Sequence, residues 1–226
     1  MNQNKMNYDN LDVMNPAPRC PLVLLLDVSR SMCGQPIAEL NAAVRQFIDE
    51  TRADEAASMS VDLEIITFGS SANVLLPFSP MNRVSMPAPL EANGMTAMGA
   101  ALRLAARDLS ARRKLYKTRG LSSYRPFVVL MTDGEPNDDW REAAQKFRGQ
   151  AERGRFTYIG VEIGGRVNHA KMCEILPVEP GPVKMRGLRF KQFFHWLTDS
   201  LRSVSASTVA EQDKVVYGPI GGWADL

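Results

Sequence analysis

The feature that most limits what this chain can fold into is a pair of unbroken apolar runs that stop abruptly at an aspartate. Leu22–Leu26 runs into Asp27, and Phe127–Met131 runs into Thr132-Asp133-Gly134. A third, mainly apolar stretch, Phe156–Ile163, ends in Gly164-Gly165. Runs of strand length without polar alternation suit strands covered on both faces, as in a parallel sheet. The intervening segments have helical periodicity. Ile37, Leu40, Val44, Phe47 and Ile48 share one face, with Asn41, Arg45 and Asp49 opposite and Pro36 in the first turn. Met98, Ala101, Leu102, Ala105, Ala106 and Leu109 form a second stripe. Trp140, Ala143, Ala144, Phe147 and Ala151 form a third, with Asn137 or Asp138 as its cap. Phe190, Phe193, Phe194, Leu197, Leu201 and Val204 form the last.

Val61, Leu63 and Ile65 alternate with Asp62 and Glu64, which predicts a strand with one wet face continuing to Phe68. Gly69-Ser70-Ser71 then turns the chain into Asn73–Phe78, a hairpin. The expected class is α/β: a doubly wound, mostly parallel sheet with one antiparallel edge strand and helices on both faces. Residues 1–19 lack periodicity and read as a flexible lead-in, residues 20–207 as the domain, and residues 208–226 as a C-terminal tail.

Composition narrows the function classes. With 45% hydrophobic and 23% charged residues in 226, the chain is ordinary globular material. A net charge of +2 gives no support to a dedicated nucleic-acid binder. No stretch is long and apolar enough for a membrane span, and Met1–Asn15 lacks the apolar core of a signal peptide. Three cysteines, Cys20, Cys33 and Cys173, make no disulfide framework. A cytoplasmic protein is the expectation.

In a doubly wound sheet, ligands bind beyond the carboxyl ends of the strands. Three segments meet there: Asp27-Val28-Ser29-Arg30-Ser31, Asn93-Gly94-Met95-Thr96, and Thr132-Asp133-Gly134-Glu135-Pro136. They carry two carboxylates, Asp27 and Asp133, and the hydroxyls of Ser29, Ser31 and Thr96. Hard oxygens without His or Cys suit Mg2+, Mn2+ or Ca2+ and not zinc. Neutral hydroxyls leave the cation's charge poorly compensated, so a vacant position has affinity for an acidic group on another molecule.

These segments resemble the metal-ion-dependent adhesion site (MIDAS) of the von Willebrand factor type A (VWA) domain. Asp27-x-Ser29-x-Ser31 fits the family's first motif, Thr96 its separate threonine, and Asp133 in Thr-Asp-Gly its later aspartate. The resemblance implies a Rossmann-like fold. It implies direct ligation by Ser29, Ser31 and Thr96, with Asp27 and Asp133 acting mainly through waters. Arg30 and Met95 depart from it, since small residues are usual at both positions. The chain also resembles the bacterial TerY-like, tellurium-resistance-associated branch in Gly34-Gln35-Pro36-Ile37, in Thr132–Pro136 and in the helix beginning Phe190-Lys191-Gln192-Phe193-Phe194. That likeness implies a cytoplasmic stress-linked module with protein kinase or phosphatase partners.

The resulting expectation is a non-enzymatic interaction module whose partner protein supplies an Asp or Glu carboxylate. The alternative is a metal-dependent phosphoryl-transfer or hydrolytic enzyme using Asp27 and Asp133. Against it, an aspartate phosphatase needs a second Asp where Ser29 stands, and neither a Walker loop nor a paired His base is present. A third class is a structural subunit whose site is capped by a neighbour's tail, with Asp225 and the terminal carboxylate as acidic caps. Glu135 is expected near the rim of the site. Elsewhere, Arg112, Arg113, Lys114, Lys117 and Arg119 read as a solvated helix end with a phosphate or nucleic-acid site as the alternative. His169 and Cys173, at i and i+4, lack further zinc ligands. Cys33 reads as a small buried residue. His195 is placed in packing or solvent contact, and Trp196 falls off the main aromatic face.

Overall fold

The computed structural model describes residues 11–165, 167–212 and 219–225. Strand β1 (Cys20–Asp27) is buried at every position and lies inside a seven-stranded sheet, third from one edge. Its side chains alternate between two cores. Leu22, Leu24 and Leu26 face one layer, and Val23 and Leu25 face the other. This double burial is why its sequence shows no polar alternation.

Helix α1 (Gln35–Ala53) follows, then the short α2 (Glu55–Ser60) and β2 (Val61–Phe68), which pairs parallel to β1. Strand β3 (Ala72–Pro80) returns antiparallel along β2 and forms one sheet edge. The chain then crosses by α3 (Met98–Thr118) to β4 (Phe127–Thr132), which pairs with the opposite side of β1. Helix α4 (Arg141–Glu152) and β5 (Thr157–Glu162) extend the sheet, followed by α5 (His169–Ile175), β6 (Pro182–Met185) and α6 (Phe190–Ser205). With β7 (Ala224–Asp225) at the second edge, the strand order is β3-β2-β1-β4-β5-β6-β7. Strand β7 pairs antiparallel with β6, so the second edge is antiparallel as well. A two-residue strand has no periodicity for a sequence reading to detect.

Helices α1 and α6 cover one sheet face. Phe47 and Phe194 meet between them at a ring separation of 5.2 Å. Helices α3 and α4 cover the other face, where Ala101, Ala105, Ala143 and Ala144 admit close packing around Phe147.

The supposed wet face of β2 is not wet. Asp62 and Glu64 are buried beneath α3. Arg112, read from sequence as part of a solvated basic run, turns inward and holds Asp62 with two bonds, Nε to Oδ2 at 2.6 Å and Nη2 to Oδ1 at 3.0 Å. Tyr116 donates its hydroxyl to the same carboxylate. A paired acid can be buried where an unpaired one cannot. Glu64 lacks such a partner on Oε2, and burial, with Asp108 and Asp62 nearby, pushes its carboxyl up to about 9.

Part of each terminal segment also packs on the domain. Arg19 is buried and donates to the carbonyls of Asp12 (2.6 Å) and Asn15 (2.8 Å). Trp223 is buried at 4.9 Å from the Phe193 ring and covers one side of Trp196. The proposed acidic caps, the Asp225 side chain and the terminal carboxylate, lie outside the described residues, as does Met1–Asn10. Among the described residues, no helix is long and apolar enough to cross a membrane.

Candidate functional site

The chain leaves β1 for β2 on one side and later returns to β4 on the other, so the strand order reverses between β1 and β4. Connections diverge there and open a crevice at the strands' carboxyl ends. Asp27 closes β1, and Asp133 immediately follows β4. Both candidate carboxylates therefore stand at the switch point.

Asp27 is fully buried, and each of its oxygens is used. Oδ1 accepts the Ser29 amide at 2.7 Å, and Oδ2 accepts the Thr132 hydroxyl at 2.5 Å. The first bond folds the loop back so that Ser29 precedes a single 3-10 turn, Arg30–Met32. Ser29 Oγ and Ser31 Oγ are 2.9 Å apart, and Ser31 Oγ donates to Asp133 Oδ1 at 2.6 Å. Thr132, which is not among the donors expected from sequence, ties β1 to β4 and also accepts the Gly134 amide at 3.2 Å. Its one sequence signal is its position, adjacent to Asp133 at the end of a buried strand.

The Thr96 segment is fixed to both neighbours. Asn93 N donates to Val28 O at 2.7 Å, and Arg30 N to Gly94 O at 3.0 Å. Gly94 has φ 77, and a Cβ there would fall 2.1 Å from Ser70 Oγ, so the close approach requires glycine. On the other side, Thr96 N donates to Asn137 Oδ1 at 3.1 Å and Asn137 N to Thr96 O at 3.2 Å. Asp138, expected to cap its own helix, instead caps α3 by accepting from Gly99 N at 2.9 Å and Ala100 N at 2.8 Å. Sequence distance hid this: the cap lies about forty residues from the helix it serves.

The structure thus brings the five predicted residues to one place. A Cβ built on Gly134 would stand 3.6 Å from Thr96 Oγ1 and 3.7 Å from Ser31 Oγ, so both hydroxyls border one small hollow. Ser29, Thr96 and Asp133 are buried, while Ser31 faces solvent. Burial pushes the Asp27 carboxyl up to about 6. The bonds from Ser29 and Thr132 oppose that shift, and the Asp133 charge adds to it. Arg30 is exposed and, among the described residues, forms no ion pair; Met95 is 61% exposed. Glu135 pairs with Lys171.

The remaining sequence candidates are dispersed. His169 Nδ1 lies 2.8 Å from Glu162 Oε1, and Cys173 is exposed. Among the described residues, no three His, Cys, Asp or Glu side chains gather as a metal-holding group. His195 sits in solvent between Glu50 and Asp199. Cys33 is exposed, contrary to its reading as a buried residue, because the 3-10 turn sends Met32 into the core instead; its Sγ lies 3.3 Å from Ala92 O.

Comparison with known proteins places this geometry in context. The sequence model of the von Willebrand factor type A domain matches residues 22–182. No curated protein matches the chain. Among solved structures, a von Willebrand factor type A protein from Catenulispora acidiphila superposes with a TM-score of 0.62 at 21% identity, over 82% of this chain and 43% of that one. Proximal thread matrix protein 1 of the mussel byssus, in a form whose MIDAS motif holds zinc, gives 0.58 at 16% identity, over 82% and 48%. The manganese-loaded TRAP protein of Plasmodium vivax gives 0.54 at 19% identity, over 80% and 73%. The chain thus spans less than half the length of the first two. At these identities the likeness establishes the fold.

Proposed function

The chain belongs to the von Willebrand factor type A family, and on that premise we propose that it is a divalent-metal-dependent binding module that captures an acidic group of a partner protein. The observation that carries this reading is the convergence of Ser29, Ser31 and Thr96 with Asp27 and Asp133 around the hollow beside Gly134. The donor set fits a hard cation, since it is oxygen only and holds two carboxylates. Zinc occupies the MIDAS motif of the byssal protein, and the Plasmodium protein is manganese-loaded; Mg2+ is the proposed ion here, on the chemistry of the donors.

A bound divalent ion supplies a coordination position that an outside carboxylate completes. The chain's own residues prepare for it. Asp133 accepts a hydrogen bond from the Ser31 hydroxyl, which turns the oxygen lone pairs of Ser31 away from Asp133. Asp27 fixes Ser29 through the backbone and β4 through Thr132. The bonds from Asn137 and Asp138 hold Thr96 and the start of α3 against the third loop. The site is therefore preorganised by protein–protein hydrogen bonds.

Capture without turnover is the proposed activity. Both Asp27 oxygens already accept hydrogen bonds, which suits a positioning carboxylate better than a nucleophile. The cytoplasmic setting and the link to tellurium or stress systems with kinase or phosphatase partners rest on the sequence likeness to the TerY-like branch alone.

The test is affinity capture from the native host with Mg2+ or with EDTA, using wild-type protein and Thr96→Ala. Metal-dependent partners should be retained by the wild type in Mg2+ only. Capture of the same partners by Thr96→Ala, or in EDTA, defeats the proposal.

A further inference from the structure

At the opposite end of the strands from the metal loops, α3, the end of α4 and the loop that leads into β5 enclose an open cleft of about 380 Å³. Leu109 and Phe156, both buried, lie among its lining residues, and most of its exposed lining is polar. Its walls carry Arg113 from α3, Arg153 from the end of α4 and Arg155 from the following loop, and no lining residue is acidic. Among the described residues, none of the three arginines forms an ion pair. Arg113 Nη1 reaches only the Arg155 carbonyl, at 3.5 Å.

Three arginines lining one cleft gather like charges, and partial enclosure weakens the screening that water provides. The carbonyl end of α4 accounts for one nearby cation, Arg153. It does not account for Arg113, which stands on another helix, or for the convergence of all three. An anion entering the cleft removes the repulsion and gains charge-assisted hydrogen bonds. The planar fork of arginine matches phosphate oxygens in particular. The volume lies at the small end of the range for ligand sites, about 300–1,000 Å³. That leaves room beyond the phosphate for an attached group, with Ser110 and Gln150 offering polar contacts.

We propose that this cleft binds a phosphate-bearing small molecule of about the size of a nucleoside mono- or diphosphate. The basic run 112–119 contributes one residue to it. Arg112 is withdrawn to Asp62, and Lys114, Lys117 and Arg119 are absent from the lining. The proposal does not depend on the metal site, which lies beyond the other ends of the same strands.

The probes are ADP, inorganic phosphate, adenosine and a phosphoserine peptide, titrated calorimetrically into the full chain at fixed ionic strength. EDTA is present throughout, so that phosphate capping a site-bound cation does not register. ADP should bind saturably, phosphate more weakly and adenosine not at all. Arg113→Gln with Arg155→Gln should weaken ADP by about tenfold or more, as lost charge-assisted bonds do, whereas Thr96→Ala should leave it unchanged. Arg153→Gln alone, at an exposed position, serves as a second variant should the double substitution unfold the chain, and it should also weaken ADP. Absence of saturable ADP binding, equal ADP affinity in the arginine variants, or binding of a phosphoserine peptide without binding of ADP overturns the proposal.

Discussion

Replacing Asp27 by asparagine should stabilise the metal-free protein while abolishing its metal response. The Asp27 carboxyl is fully buried, and its pKa rises from 3.8 to about 6. That is roughly two pKa units, or about 3 kcal/mol at about 1.4 kcal/mol per unit. Below about pH 4 the group is protonated in both folded and unfolded chains, and no penalty applies. Between pH 4 and 6 the folded state holds the extra proton, so stability falls as pH rises through this window. Above about pH 6 the full cost of a buried anion is present. The substituted asparagine retains one acceptor oxygen for the Ser29 amide, and its NH2 can donate to Thr132, whose hydroxyl rotates to accept. The gain should therefore approach 3 kcal/mol at pH 7.5 in EDTA, equivalent to roughly 6–12 °C in melting midpoint for a domain of this size. It should shrink towards zero near pH 4. Added Mg2+ should raise the wild-type midpoint, by about 2.7 kcal/mol at one hundred times its dissociation constant, and leave the variant unmoved. Urea unfolding at the two pH values, with and without Mg2+, reads all of these. An Asp27→Asn protein less stable than wild type at pH 7.5 in EDTA, or a gain that does not vary with pH, refutes the account of Asp27 as a strained buried anion.

Two further outcomes follow from the packing. Arg112→Ala strips the buried Asp62 of its bidentate partner and should cost about 3–5 kcal/mol by urea denaturation, whereas Arg112→Ala with Asp62→Leu should recover much of that loss. Gly99→Ala places a Cβ 2.6 Å from Trp140 Cα and 2.7 Å from Asp139 O, both backbone. It should force α3 away from the loop that follows Asp133 and lower stability by about 1–3 kcal/mol. It should also weaken Mg2+ binding without touching a ligand, and unchanged metal affinity in a folded Gly99→Ala protein would show that this loop contact does not support the site.

Much of the sheet was legible because it is buried on both faces. Leu22–Leu26 and Phe127–Met131 leave no simpler reading, and the stripes of α1, α3, α4 and α6 match the cores they enter. The hairpin edge at β3 was legible, and the β6–β7 edge was not. Ala224–Asp225 is too short to show a pattern, and the burial of Trp223 follows from the aromatic surface of α6 rather than from its neighbours in sequence. The alternation in β2 gave the right strand and the wrong environment. Period-two patterning reports which residues share a face, and whether that face meets water depends on what covers it. Here Arg112, fifty residues away, makes the covered state possible.

The same division holds at the site. The donor chemistry is written locally: oxygen donors of two aspartates and three hydroxyl residues, each beside the end of an apolar strand or the start of a helix, are residue types and an order that short stretches of chain contain. Folding in three dimensions brings these donors together, with Ser31 and Thr96 on one hollow, sets Thr132 as the clamp on Asp27 across β1 and β4, turns Asp138 to α3 instead of α4, and places Arg113 in a cleft with Arg153 and Arg155. Such pairings join residues tens of positions apart, and their partners are chosen by packing and sheet register, which no local window of sequence contains.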